Sequence, residues 1–118
     1  MQTIAADGVQ PVEVGHGVNR YTMTDYLGRF NAETDGPQAY LVRQQSPELR
    51  AHFHEVDQFQ VVLDGVGSLG AHGVRRGALH YTDAFTAYGP IRTDPAVGLS
   101  YFTLRATPTT GINYMPEE

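Results

Sequence analysis

The sequence has no cysteine and no lysine. Without cysteine there is no thiolate nucleophile, no thiolate-ligated metal and no disulfide framework. All eight basic residues are therefore arginine, which rules out a lysine Schiff base and a lysine general base. Positive charge is in short supply as well, with thirteen acidic residues leaving a formal charge of −5. An acidic chain of this kind lacks the basic face that nucleic-acid binding needs. No window approaches the roughly 18 consecutive apolar residues of a membrane span. The opening "MQTIAADGVQPVEVG" has no basic stretch followed by an apolar core, so a soluble, cytoplasmic protein is expected. There is no glycine-rich phosphate loop and no G-x-S-x-G elbow, so nucleotide binding and serine hydrolysis have no support.

At 118 residues the chain is read as a single domain, 1–118, long enough to bury a core without covalent support. Thirteen glycines and seven prolines are spread along it rather than pooled in a linker. Short β-prone runs alternate with turn signals, the pattern of a sandwich or barrel. Strands are expected at Ala39–Gln44, Ala51–His54, Gln58–Leu63, Gly67–Ala71, Ala78–Thr82 and Gly98–Arg105, with turns at Asp64-Gly65, His72-Gly73 and Asp94-Pro95. The best helical candidate is Thr24–Phe30, interrupted by Gly28. The tail "GINYMPEE" is too sparsely apolar for a strand of its own, although Tyr114 and Met115 can pack back. The expectation is an all-β domain with its core at about residues 39–105 and a short irregular N-terminal segment, Met1–Val18.

Chemistry concentrates in "RAHFHEVDQFQVVLDGVG", Arg50–Gly67. Side chains alternate along a strand, so His52 and His54 share one face and Phe53 takes the other. That face is either a partly exposed polar surface or, with Phe53, Phe59 and Val61 as core on the other side, the lining of an interior cavity. If Glu55, Val56 and Asp57 make a tight turn, Gln58–Leu63 runs back antiparallel and sets Gln58 across from the histidines. Two imidazoles with a side-chain oxygen suit a divalent transition metal. Glu55 and Asp57 read as solvated turn residues, and His72 as an exposed hairpin tip. His16 lies in the irregular segment with no assignable partner. Arg43, Arg92 and Arg105 each offer an anchor for a substrate carboxylate, and strand parity leaves open which of them faces inward.

The stretch is similar to the first motif of the cupin superfamily, G-x5-H-x-H-x3,4-E-x6-G. His52, His54 and Gly65 match in register, Gln58 stands at the glutamate position and Ser46 at the leading glycine. The second motif, G-x5-P-x-G-x2-H-x3-N, starts at Gly77 and then falls on Asp83, Phe85, Tyr88 and Arg92, retaining only its first glycine. The resemblance implies a small, jelly-roll-like cupin β-barrel with a divalent metal (Fe, Zn, Ni or Mn) held by His52, His54 and Gln58. The place of the missing third histidine is open to Tyr88 at the matching position, to His80 and to Asp83. His80 and Tyr88 are the candidate catalytic residues. Glutamine in place of glutamate leaves the charge of a divalent ion uncompensated.

Cupins include oxygenases, isomerases, decarboxylases and cyclases, so the resemblance implies a small metal-dependent enzyme acting on an aromatic or carbonyl-bearing molecule. The alternative is a non-catalytic cupin that binds or senses a small molecule, which the degraded second motif favours. A homodimer is expected, because open barrel edges are a liability. Met1–Val18 is the segment expected to pack on the partner.

Overall fold

The computed structural model describes residues 3–14, 21–28, 36–107 and 112–115. Eleven strands are formed: β1 (Val12–Val14), β2 (Tyr21–Leu27), β3 (Gln38–Gln44), β4 (Glu48–Leu49), β5 (His52–Phe53), β6 (Gln58–Leu69), β7 (His72–Arg75), β8 (Leu79–Thr82), β9 (Ile91–Thr93), β10 (Leu99–Arg105) and β11 (Asn113–Tyr114). The paired strands run antiparallel, and the main sheet has the order β1-β2-β3-β10-β6-β9-β4, with β7 and β8 also paired to β6. The sheet curls into a barrel, and β5 with β11 forms a two-stranded ribbon across it. No helix among the described residues is long and apolar enough to cross a membrane.

Strand β6 is the longest element and organises the barrel. Its first half, Gln58–Val61, pairs with β8, while its second half pairs with β7 and β9. The sequence leads one to expect two separate strands joined by an Asp64-Gly65 turn, and the chain instead runs on through a bulge. Val62 pairs with Tyr101 and Asp64 with Ser100, leaving Leu63 as the extra residue. Gly65 has φ +90°, and a Cβ on it would come 2.1 Å from the Gly98 carbonyl oxygen. Only glycine permits that approach. The hairpin turn beyond it falls on Gly70-Ala71, and exposed His72 opens β7.

The helix expected over Thr24–Phe30 is replaced by β2, which pairs with β3 over most of its length. Residues of β2 alternate toward the barrel interior, where Tyr21 and Met23 are buried, and tertiary pairing overrides a short local helical preference. Arg29 and Phe30 lie outside the described residues, as does His16. The tail does form a strand: Asn113 pairs with Phe53 and Tyr114 with His52. In the N-terminal segment, Val12–Val14 forms an edge strand on β2 and the rest of the described part is irregular.

The interior has two ends of different character. One is apolar, with Val62, Ile91 and Leu99 buried there, and Met23, Val42 and Leu49 reach from it to the cavity that His52 and His54 line. The other is polar, and it holds buried Gln38, His52, His54, Gln58, Gln60, Thr103 and Arg105.

Candidate active site within the barrel

His52 sits on β5 and His54 just after it, both pointing into the barrel and almost fully buried, at 2% and 5% exposure. Their rings meet edge to face, 5.1 Å between centroids. The strand returning beside them is not β6. The backbone of His52 pairs instead with Tyr88, by His52 N–H to Tyr88 C=O at 3.0 Å and Tyr88 N–H to His52 C=O at 2.9 Å. The backbone of Phe85 donates to the His54 carbonyl. The expected hairpin between the histidine strand and Gln58–Leu63 is thus replaced by a bridge to the loop before β9. Glu55 and Asp57 are exposed, with Asp57 Oδ1 accepting from the Ala84 N–H at 2.7 Å.

Gln58 nevertheless reaches the site, through a side chain. It heads β6 and is buried, and its amide nitrogen donates to the Tyr88 hydroxyl at 2.6 Å. The same hydroxyl lies 2.9 Å from His52 Nε2. Tyr88 is the hub of the cluster, with its ring centroid 4.5 Å from His52, 5.2 Å from His80 and 6.2 Å from His54. Of the open candidates beside the histidine pair, Tyr88 and His80 are therefore brought in. Asp83 is exposed on the outside, beside Tyr81.

Of the three arginines, Arg43 bonds the Ser100 hydroxyl and Arg92 lies 3.7 Å from Glu48. Arg105 is the one that faces inward, 2% exposed, with its guanidinium 5.1 Å from the Tyr40 ring. Its Nε donates to Gln58 Oε1 at 3.0 Å and its Nη1 to Gln38 Oε1 at 3.2 Å. Sequence reasoning missed this role, although the i, i+2 parity with buried Tyr101 and Thr103 carries the signal.

Protonation follows from this burial. Loss of solvation pushes the His52 pKa down to about 4, with the hydrogen bond to the Arg50 carbonyl opposing the shift and Arg105 adding to it. His52 is neutral at pH 7, and Nδ1–H donates to that carbonyl at 2.7 Å. His80 is also lowered, by desolvation and then by His72. Desolvation raises Tyr88 well above the usual phenol range, helped by Tyr40, so it stays protonated.

The donors fit a divalent ion in part. A histidine whose Nδ1–H is held by a backbone carbonyl presents Nε2 as a metal ligand does, and His54 stands beside it. Gln58 does not fit as the third donor, because its carbonyl oxygen already accepts from a buried guanidinium. No group of three or more His, Asp or Glu side chains placed to hold a metal occurs among the described residues.

The cavity between His52, His54, Gln60, Tyr40, Tyr88 and Thr103 measures about 20 Å³, room for one water. A second hollow of about 30 Å³ lies across Gln60, against His80 and Leu99. The carbonyl oxygen of Gln60 is buried without a hydrogen-bond partner. A larger groove of about 440 Å³ lies on the outer face between Ile4, Tyr26, Leu41, Leu63 and Phe102, without titratable groups apart from Tyr26. Convergent polar groups mark the inner cavity, not the groove, as the candidate site.

No protein-family model matches the chain, and no curated protein matches it. Solved structures do resemble it. The polyketide cyclase RemF from Streptomyces resistomycificus is 16% identical over 98% of this chain and 85% of its own, with a TM-score of 0.77. A cupin-2 domain from Rhodospirillum rubrum is 13% identical, covering 98% and 81%, at 0.72. The oxalate decarboxylase of Lactobacillus farciminis is 10% identical over 98% of this chain but 38% of its own, at 0.66. These likenesses establish the fold: the chain folds as a cupin β-barrel.

Proposed function

We propose that the protein is a small cupin enzyme that acts on an aromatic or carbonyl-bearing molecule with the help of a divalent metal. The observation that carries this reading is the gathering of three imidazoles around one buried, protonated phenol, the Tyr88 ring centroid lying within 6.2 Å of those of His52, His54 and half-buried His80. Cupin neighbours that include a polyketide cyclase and an oxalate decarboxylase are in keeping with an enzyme. In this proposal His52 and His54 hold the ion, and Gln58 joins them only if it turns its oxygen from Arg105. The bound ion supplies Lewis-acid polarisation of a substrate oxygen. Tyr88 is held as a neutral acid whose proton is shared with His52. His80, half-buried and neutral, is placed to take up a proton. Tyr40, Tyr101 and Met23 line the same small cavity, which has to widen before an aromatic ring can enter.

Elemental analysis tests the metal. The wild-type protein is expected to carry it and the His52→Ala/His54→Ala double variant to lose it, while equal occupancy in both sinks the assignment. Turnover of a panel of poly-β-carbonyl and phenolic compounds tests the chemistry. His80→Gln is expected to lower the rate about 10²-fold, with Tyr88→Phe as the parallel test; if neither changes the rate, neither residue takes part in proton transfer.

A second reading, a non-catalytic binding or sensing cupin, is favoured by the second motif, which keeps only Gly77, and by the engagement of the Gln58 oxygen with Arg105 in place of an ion. A panel compound that raises Tm without ever being converted supports it. Self-association belongs to the same proposal, since the outer sheet face is apolar enough to be covered by a second copy; a strict monomer at tens of micromolar in sedimentation rejects it.

A further inference from the structure

The polar end of the barrel contains a hydrogen-bond chain whose direction can be worked out atom by atom. Arg105 can only donate, and it gives Nε–H to Gln58 Oε1 at 3.0 Å and Nη1–H to Gln38 Oε1 at 3.2 Å. With its oxygen so engaged, Gln58 presents its amide N–H to the Tyr88 oxygen at 2.6 Å. The Tyr88 oxygen is an acceptor there, and Gln60 is a second amide that hydrogen-bonds to it, so the phenol's own proton goes to the neighbour that can accept it, His52 Nε2, at 2.9 Å. His52 completes the chain by donating from Nδ1 to the Arg50 carbonyl at 2.7 Å. Both ends can act in one sense only: a guanidinium that donates and a carbonyl that accepts. Every bond between them is therefore fixed in direction.

We infer that Arg105 is a positioning residue of the site, which acts through Gln58 to turn the Tyr88 hydroxyl onto His52 Nε2, so that the imidazole lone pair is capped from within. An incoming ligand atom has to displace that hydroxyl. The chain also gives a reason for glutamine at position 58. A carboxylate there has no N–H to offer, so Tyr88 would donate to it and leave Nε2 bare. The two residues differ by one group, yet they reverse the direction of the bond to Tyr88. This positioning role involves only groups of the chain itself and does not depend on the metal or the turnover proposed above.

Long-range ¹H–¹⁵N correlation on protein labelled at histidine and arginine, in chelator at pH 7, reads the chain directly. In the wild type His52 is expected as the Nδ1–H tautomer with a hydrogen-bonded Nε2. In Gln58→Glu the tautomer should persist while Nε2 moves to the frequency of an unbonded acceptor, the same change that Tyr88→Phe produces by deleting the hydroxyl. Modification by diethyl pyrocarbonate, mapped to His52 by peptide mass, should be about fivefold faster in both variants, the scale of one lost hydrogen bond. A purely space-filling role for Gln58 predicts no change at Nε2 in Gln58→Glu, and that result, with Tyr88→Phe shifted, overturns the inference. So does an Nε2–H tautomer in the wild type. Arg105→Met should shift Nε2 part of the way toward the unbonded value, and a folded Arg105→Met with the wild-type signal rejects the positioning role. If that variant does not fold, the Arg105 Nε–H resonance decides. It should exchange slowly in the wild type and shift in Gln58→Met, and an unchanged resonance there breaks the link between Arg105 and Gln58.

Discussion

The two faces of the sheet around β6 and β8 are inverted relative to an ordinary soluble sheet. Facing inward are Gln58, Gln60 and Thr82, all buried. Facing outward are Phe59 and Tyr81, each 46% exposed, and Leu79 at 66%. The registers make the outer side a continuous apolar surface, since Leu104 stands opposite Phe59, Phe59 opposite Tyr81, and Val61 between Phe102 and Leu79. Buried polar groups are tolerable only when hydrogen-bonded, and the inner face meets that condition at Gln58 through a directed network but not at the Gln60 carbonyl oxygen, which is buried without a partner. Polar character inside and apolar character outside are the features on which the proposed ligand site and the proposed self-association respectively rest. At the opposite end of the barrel the ordinary pattern returns, with Ile91 and Leu99 at 1% exposure.

The largest expected effect breaks the apolar end. Leu99→Ala should destabilise the protein by about 2–5 kcal/mol, the range for truncating a buried aliphatic, read from urea unfolding. A loss below about 1 kcal/mol would mean that this end is not the core.

The next concerns acid. The folded-state pKa of His52, about 4, lies below its unfolded value of about 6.5. Between these values the unfolded chain binds the extra proton, so stability is full above pH 6.5 and falls as the pH drops toward 4. The loss is roughly 3 kcal/mol once both values are passed. Urea unfolding at pH 7 and pH 4.5 in wild type and His52→Gln measures it. A pH slope that survives unchanged in His52→Gln assigns it to other groups.

A smaller effect sharpens the metal question. Gln58→Glu adds negative charge beside the histidines and should tighten divalent binding by about 1–2 kcal/mol at an effective dielectric near 20. Competition titration with a metal indicator checks this, and equal affinities place Gln58 outside the ion's reach. The smallest effect on the isolated chain belongs to the outer face. Leu79→Asp should change its intrinsic stability by no more than about 0.5 kcal/mol while abolishing self-association in sedimentation. A variant that still associates directs attention to the sheet edges instead.

Much of the barrel was legible because strand periodicity and turn chemistry are local. β3, β8 and β10 begin and end within a residue of their expected bounds. The exceptions share a cause. β2 was hidden because "TDYLGRF" has no strong local preference, and pairing with β3 settles it. The Asp64-Gly65 pair carries the chemistry of a turn, yet the approach of Gly98 makes it a bulge inside one strand. The two-residue strand β11 exists only because β5 offers an edge.

For the site, the sequence by itself determined that His52 and His54 share a face, because side-chain alternation is a property of a single strand. It also settled which side-chain chemistry is absent, since a chain without cysteine or lysine has no side-chain thiolate or amine to offer. Only the tertiary structure decided that this face is the interior and that Tyr88 from a distant loop bridges to His52. It likewise decided that Arg105, rather than Arg43 or Arg92, lies inside. Those outcomes depend on which strands become neighbours when the sheet closes, over sequence separations of 36 residues for Tyr88 and 47 for Arg105 and Gln58. Local propensity carries no information over such distances. The direction of the hydrogen bonds is decided there too, because it propagates from a buried cation that no neighbouring residue in the chain specifies.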